Sequence, residues 1–245
     1  MSEYIFGRNA VLEALESERK VEKIYLLKGD LKGSVNKIIG KAKSKGILIS
    51  EIDKYKLNDM ADGVVHQGVC ALVSNFDYST LEDIIQSARE KKEDLFLVIL
   101  DEIEDPHNFG AIIRSCEGAG VHGIIVSKRN QAPVTSVVEK SSAGAVNHMK
   151  IAKVSNLSDT ILKLQKENVW IYGACGEAKQ NYTDMDFKGN IAIVIGNEGK
   201  GIGQLVKKRC DFLTKLPMMG KISSLNASNA CAILVYEALR QRYGK

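Results

Sequence analysis

Apolar residues recur along the first part of the chain in two alternating periods. NAVLEALE (9–16) has the three- and four-residue spacing of a helix, and VEKIYLL (21–27) reads as a strand. VNKIIGKAKSK (35–45) returns to helical spacing and ILIS (47–50) to a strand. YKLNDMA (55–61) reads as a short helix and VCALVS (69–74) as a strand. This alternation predicts a small α/β domain over residues 1–76. NFDYSTLEDIIQSAREKKED (75–94) is polar and highly charged around one short amphipathic pattern, which suggests a linker over 77–93.

A second domain, 94–245, restarts with LFLVIL (95–100), an apolar strand, followed by a loop, DEIEDPHN (101–108). FGAIIRSCEGAG (109–120) reads as a helix, GIIVS (123–127) as a strand and VTSVVEKSSAG (134–144) as a helix with a glycine stop. HMKIAKV (148–154) and VWIYGA (169–174) are strands around a helix, LSDTILKLQKE (157–167). IAIVIG (191–196) is a further strand, LTKL (213–216) a short one, and LNASNACAILVYEALRQR (225–242) the closing helix. Apolar β-branched strands alternating with helices predict a parallel sheet covered on both faces. Ligands of such sheets gather at the carboxyl ends of the strands. The loops after Leu100, Ala174, Ile195 and Leu216 are therefore the candidate binding segments.

Two phosphate-binding patterns fail at the glycine-rich stretch IVIGNEGKGI (193–202). Counting from Gly196, Ile202 stands where a P-loop needs lysine. Gly199, Gly201 and Gly203 give G-x-G-x-G rather than the dinucleotide fingerprint, which disfavours a Rossmann-type dehydrogenase.

Composition narrows the class. The 245 residues are 44% hydrophobic and 26% charged, ordinary for a globular protein. No apolar run reaches membrane-spanning length, and the first residues do not resemble a secretory signal. Five scattered cysteines, Cys70, Cys116, Cys175, Cys210 and Cys231, read as reduced thiols of a cytoplasmic protein. The four histidines lack H-x-x-x-H spacing, so no metal site is expected. The net charge of +4 permits an anionic partner. Residues 31–50 contain Lys32, Lys37, Lys41, Lys43 and Lys45 and no acid. On a helix Lys37, Lys41 and Lys45 form one stripe, either a solvated face or a phosphate-contacting one.

Three loops have compositions that go beyond turn chemistry. In DPHNFGAIIRS (105–115), Asn108 and Gly110 stand at a helix start, where Asn108 is a candidate cap. Arg114 interrupts an apolar run where a solvated arginine is not expected. In IGNEGKGI, Glu198 lies among glycines. In LPMMGKISSLNASNACAILVYE (216–237), Pro217 and Gly220 shape a loop, and Ser224, Asn226 and Ser228 exceed what one cap requires.

N-F-G-A-I-I-R-S, I-G-N-E-G-K-G-I and L-P-M-x-G-x-x-x-S-L-N-A-S resemble, in order, the three motifs of the SpoU (TrmH) family of RNA ribose 2′-O-methyltransferases. IFGRNAVLEAL (5–15) and VHQGVCALV (65–73) resemble the RNA-binding domain, similar to ribosomal protein L30e, that precedes the catalytic domain in the family's 23S rRNA guanosine methyltransferases. The resemblance covers nearly the whole chain. It implies an α/β SPOUT domain with a parallel sheet and a deep C-terminal trefoil knot, after a small L30e-like α/β domain. It implies S-adenosyl-L-methionine as cofactor, RNA as partner (23S rRNA or a ribosomal precursor particle) and a homodimer.

Carried onto this sequence, the resemblance implies a cofactor site at Ala174, Gly176, Gly196, Leu216, Met218, Ser224, Leu225 and Ser228. Arg114 would lie at the reacting oxygen, with Asn108, Glu198, Asn226 and Ser224 around it. Arg8 joins Lys37, Lys41 and Lys45 as an RNA-contact candidate. Neutralising an arginine at pH 7 costs roughly 7 kcal/mol, which favours a charged clamp but leaves base or clamp open. Asn229 departs from the family's usual small or branched apolar residue, and the loop GACGEAKQNYTD (173–184) is less typical. Two rival readings keep part of this picture: a tRNA methyltransferase of the same family, and a non-catalytic RNA-binding module.

Overall fold

The computed structural model describes residues 2–17, 20–29, 33–74 and 76–244; Lys32 lies outside them. The chain divides into two compact units, Met1–Asp77 with Pro133–Ser136, and Tyr78–Ala132 with Val137–Lys245.

The first unit runs β1 (Ser2–Phe6), α1 (Arg8–Glu16), β2 (Lys20–Leu27), α2 (Ser34–Ser44), β3 (Leu48–Ile52), α3 (Lys54–Ala61) and β4 (Val69–Ser74). The sheet order is β1-β4-β2-β3, with β2 and β3 parallel and the other pairs antiparallel. Helices α1 and α2 cover one face through Val11, Leu15, Val35 and Ile38, against Ile24, Leu26 and Ala71. On the other face Leu57 of α3 meets Ile52 and Cys70. The alternation of the sequence accounts for all of this except β1. SEYIF is short, and its pairing with β4 fixes it as a strand.

The second unit runs α4 (Leu81–Lys91), β5 (Phe96–Asp101), α5 (Pro106–Gly118), β6 (Gly123–Ser127), α6 (Ser136–Ser141) and β7 (Ile151–Val154). It continues with α7 (Leu157–Lys166), β8 (Trp170–Ala174), β9 (Gln180–Asn181), β10 (Ile191–Gly196), α8 (Gln204–Arg209), β11 (Phe212–Lys215) and α9 (Ala227–Tyr243). Its described strands form a seven-stranded sheet of order β7-β6-β5-β10-β8-β11-β9. Every neighbouring pair in it is parallel. All six residues of β5 are buried. Leu97 and Ile99 belong to a core that also takes residues of α4, α7 and α8. Helix α5 packs on β6 and α9, and α9 on β10. The parallel sheet is therefore apolar along its strands because both faces are covered.

Several segments differ from the sequence pattern. Where a linker is expected, Thr80 opens α4 with a capping box, and Ile84 and Ala88 enter the core. A Cβ added to Gly123 would meet Ile84 at 2.6 Å, so α4 lies tightly over β6. The high charge of this stretch is the solvent face of an amphipathic helix. The helix expected over 134–144 is shorter, because Ala143 (φ 51°) already turns the backbone left-handed ahead of Gly144 and a 3-10 turn at Ala145–Asn147. Helix α8 and strand β9 have too few residues to show a period.

At the amino ends of the strands, His122 is 7% exposed and joins β5 to the α4–β5 segment. The Phe96 N–H donates to its Nδ1 at 3.1 Å, and its Nε2 lies 3.0 Å from Glu93 Oε2. Burial lowers the pKa of this imidazole, against the opposing pull of the Glu93 carboxylate. A ring protonated at Nδ1 could not accept from Phe96. Its native pKa lies below the unfolded value of about 6.5, so the unfolded chain takes up the proton first as pH falls. Stability should thus be full above pH 6.5 and decline below it, by no more than about 1.4 kcal/mol per pH unit from this group. Urea titrations at pH 7.5 and 5.5 check this. His122→Gln should remove that part of the pH dependence, whereas an unchanged slope would mean that other groups carry it.

Candidate active site at the carboxyl ends of the parallel sheet

Three segments far apart in sequence converge where β5, β10 and β11 end. The first is the start of α5. Asp105 caps this helix, its carboxylate accepting from the N–H groups of His107 (3.2 Å) and Asn108 (3.1 Å), with Pro106 at the first helical position. Asn108 is therefore inside the first turn and does not cap, which removes the capping alternative that the sequence left open beside a site role. Its side chain is released for contacts across the site. A Cβ on Gly110 would lie 1.9 Å from Ser141 Oγ, so only glycine allows α5 this close to α6.

The second segment follows β10. A Cβ on Gly196 would lie 2.2 Å from the Gly201 carbonyl carbon and 2.3 Å from the Ile202 nitrogen. The loop folds straight back over this glycine and exposes Glu198 at its turn. Asp101, at the end of β5, holds the far side of the loop: its Oδ2 accepts the Gly203 N–H at 2.8 Å. Burial raises the Asp101 pKa, and the Gly203 N–H opposes that rise. The third segment is the approach to α9, capped by Asn226, whose Oδ1 accepts the Ser228 N–H at 2.8 Å.

One chain of hydrogen bonds links the three. Asn108 Nδ2 donates to Glu198 Oε1, Asn226 Nδ2 donates to Asn108 Oδ1 at 2.9 Å, and Ser228 Oγ donates to Asn226 Oδ1 at 2.6 Å. The Glu198 carboxylate, which only accepts, at one end and the Ser228 backbone N–H, which only donates, at the other fix which way each amide faces. Among the described residues, no group of three or more His, Cys, Asp or Glu could hold a metal ion.

The other candidates lie outside this chain of bonds. Arg114 is exposed on α5, so the interruption of the apolar run marks the helix's outer side. Ser224 and Leu225 are exposed on the loop before α9, and Leu216 and Met218 are half-buried on the same loop. From Pro217 to Leu225 no residue makes a hydrogen bond within the described residues, leaving a run of backbone donors and acceptors available. After β8, Ala174 leads into Cys175, whose N–H donates to the Thr214 carbonyl at 2.8 Å, and Gly176 is exposed. Lys207 pairs with Glu177 on that loop at 2.9 Å and holds its carboxyl below the usual range.

In the first unit, two lysines of the stripe are engaged locally. Lys41 Nζ pairs with Glu16 at 2.6 Å, and Lys45 Nζ donates to the Leu15 carbonyl at 2.5 Å, so both close the end of α1. Lys37 is exposed. Arg8 Nε donates to the Gln67 carbonyl at 3.0 Å, and the Arg8 N–H to Gln67 Oε1 at 3.1 Å. Sequence reasoning missed Asp101 and Asp105. The Asp-Pro pair before a helical run was a readable signal for Asp105; nothing local marks Asp101.

A polar site built from loops at the carboxyl ends of a doubly covered parallel sheet defines an α/β ligand-binding domain. The model of the SpoU rRNA Methylase family matches residues 95–236, and that for RNA 2′-O ribose methyltransferase substrate binding matches residues 4–79. The chain belongs to the SpoU methylase family. It is 44% identical over 240 residues to YacO of Bacillus subtilis, named for the TrmH family of tRNA/rRNA methyltransferases, covering 98% of this chain and 96% of the relative. A Staphylococcus aureus protein named for the same family is 38% identical over 239 residues, with 98% and 96% covered. Among solved structures, the SpoU methyltransferase AviRb from Streptomyces viridochromogenes, in complex with AdoMet, superposes with a TM-score of 0.63 at 24% identity. It covers 100% of this chain, is itself 92% covered, and shows the shared fold. A TrmH/SpoU tRNA modifying enzyme from A. aeolicus gives a TM-score of 0.58 at 28% identity, with 67% of this chain and 85% of that one covered.

Two glycines of the candidate cofactor loops separate close packing from open space. Gly196→Ala should destabilise the protein by about 2 kcal/mol or more, through overpacking against the returning backbone. Gly176→Ala, with nothing within 4 Å of the added carbon, should leave stability unchanged or slightly raised. Denaturant unfolding of both variants is the check. Equal effects would contradict the packing assigned to Gly196.

Proposed function

We propose that this chain transfers the methyl group of S-adenosylmethionine to a ribose 2′-hydroxyl of RNA, with a guanosine of 23S rRNA as the target. The observation that carries the reading is the hydrogen-bonded chain Glu198–Asn108–Asn226–Ser228, which draws one side chain or more from each of the three family motifs. The substrate-binding match at 4–79 supports an RNA substrate, and the SpoU rRNA Methylase match is the reason for choosing rRNA, although the relatives are named for tRNA and rRNA alike. The tRNA-modifying A. aeolicus structure accounts for only 67% of the chain. The reading carries with it the knotted path of the family, and the five free thiols suit a reducing cytoplasm.

The residues present suit an adenosyl ligand. Its base and ribose offer neutral donors and acceptors, and the unbonded backbone of Pro217–Leu225 offers their complements. Ala174 and Gly176 after β8, Gly196 after β10, and Leu216, Met218, Ser224, Leu225 and Ser228 around the last loop would hold it. Bound there, it supplies a methyl group already activated by its sulfonium.

What remains for the protein is alignment and charge. Arg114 lies six residues beyond Asn108 on α5, and no hydrogen bond or ion pair engages its side chain among the described residues. Its guanidinium can take an RNA phosphate and stabilise negative charge developing on the 2′-oxygen. Neutralising an arginine at pH 7 costs roughly 7 kcal/mol, so the charged clamp is the easier role. Glu198 fixes the Asn108 amide, which orients Asn226 at the head of α9. These groups hold the substrate's ribose and phosphate in register with the donor.

The homodimer belongs to the same proposal. Helix α9 exposes Ile233 (38%) and Tyr236 (50%), an apolar pair on the helix that carries Asn226 and Ser228. Tyr236→Glu should convert a dimer into a monomer in light scattering at micromolar concentration. A dimer that survives it would place the interface elsewhere.

The function itself is tested by transfer of labelled methyl from S-adenosylmethionine to 23S rRNA, 16S rRNA and bulk tRNA. Label in 23S rRNA at alkali-resistant linkages, lost by a factor of about 100 or more in Arg114→Ala, is the expected result. Label confined to tRNA would replace the substrate, and an absence of cofactor binding would leave an RNA-binding module.

A further inference from the structure

Glu198 sits at the apex of a turn and has one side-chain partner of its own, Asn108. What places the turn is its neighbour. Asn197 uses every polar group it has. Its backbone N–H donates to the Gly201 carbonyl at 3.2 Å, and its carbonyl accepts the Gly201 N–H at 2.8 Å. Its side-chain Oδ1 accepts the N–H groups of Gly199 at 2.9 Å and Lys200 at 3.3 Å. These four bonds close the loop around Glu198. The fifth leaves the loop: Asn197 Nδ2 donates to the carbonyl of Glu102 at 3.0 Å, 95 residues away at the end of β5.

Glu102 is itself unusual. It holds a left-handed backbone with φ of 61°, a conformation that costs energy in any residue with a side chain. Its Oε1 accepts from Asn130 Nδ2 at 2.9 Å, and Asn130 is also left-handed, with φ of 50°. Two uncommon backbone conformations are thus tied together beside the candidate site, and they turn the Glu102 carbonyl toward Asn197. Strain maintained at a site is a pointer to function.

We infer that Asn197 is a positioning residue for Glu198, and that its tether to the Glu102 carbonyl sets where the Glu198 carboxylate meets Asn108. This rests on the proposed methyl transfer, in which Glu198 fixes Asn108. Asn197 does not touch substrate or cofactor in this account; it acts through Glu198. An acceptor alone at position 197 would close the loop, and an amide is needed because the tether requires a donor.

Asn197→Asp isolates the tether. The carboxylate still accepts from Gly199 and Lys200, but it faces the Glu102 carbonyl with a second acceptor. We expect the transfer rate at saturating S-adenosylmethionine and RNA to fall roughly tenfold, with KM for S-adenosylmethionine within about twofold of wild type. Asn197→Ala, which also loses the loop closure, should fall at least as far. The discriminating readout is the same substitution in a Glu198→Ala background, where Asn197→Asp should cause no further loss of rate. Rates are taken per mole of protein that binds S-adenosylmethionine in calorimetry, so unfolded material does not count. A tenfold loss in both backgrounds would overturn the inference and make Asn197 a general structural residue. A normal rate for Asn197→Asp beside a slow Glu198→Ala would also overturn it, with the proposed function intact. A normal rate for Glu198→Ala would overturn both the inference and the role given to Glu198.

Discussion

Burial of the parallel sheet on both faces is the constraint from which the site follows. Strands β5 and β10 are apolar along nearly their full length, so their polar and flexible residues are pushed to the carboxyl ends. There Asp101 and Gly196, opposite each other, end two adjacent strands, and Glu102 and Asn197 follow them directly. Each serves a separate purpose. Asp101 and the Glu102 carbonyl pin the two sides of the glycine loop, and Gly196 lets that loop return without a clash. The loop can present a carboxylate only because its backbone is held this closely.

Helices α5 and α9 bring the remaining groups. They pack on each other and against the sheet, so the Asn108 and Asn226 amides meet at 2.9 Å although 118 residues separate them. A site assembled from helix starts and strand ends is stiff where loops alone would not be. The long segment before α9 makes no hydrogen bonds of its own among the described residues, and it is where a ligand has most to gain. Rigid anchors on one side and unsatisfied backbone on the other give the division of labour proposed for RNA and cofactor.

Much of the fold was legible because period and burial are local properties. The apolar runs at 95–100, 123–127 and 191–196 became strands at the expected places, and the helix at 157–167 did too. The charged stretch before residue 95 was misread since a narrow stripe, Ile84 and Ala88, does the packing. The segment SEYIF shows no signal apart from its partner strand. At the candidate site, residue types could be named from the loops, yet their bonds could not. Asn108 could be either a cap or a site residue until Asp105 took the capping role. The lysine stripe was correct as helix geometry, but Lys41 and Lys45 turn back on α1. Asn197 stood unremarked beside Glu198 because its decisive partner is a main-chain carbonyl 95 residues away.

Through the bonds that run from Glu198 to Ser228 the three motifs act as one hydrogen-bonded unit. A double-mutant cycle of Asn108→Ala and Asn226→Ala on the methyl-transfer rate tests it most directly. Strong coupling is the expected result: either single change breaks the chain, and the double variant should be little slower than the slower single one. Losses that simply multiply would mean that the two amides act independently, and that the contact between them is packing without a shared role.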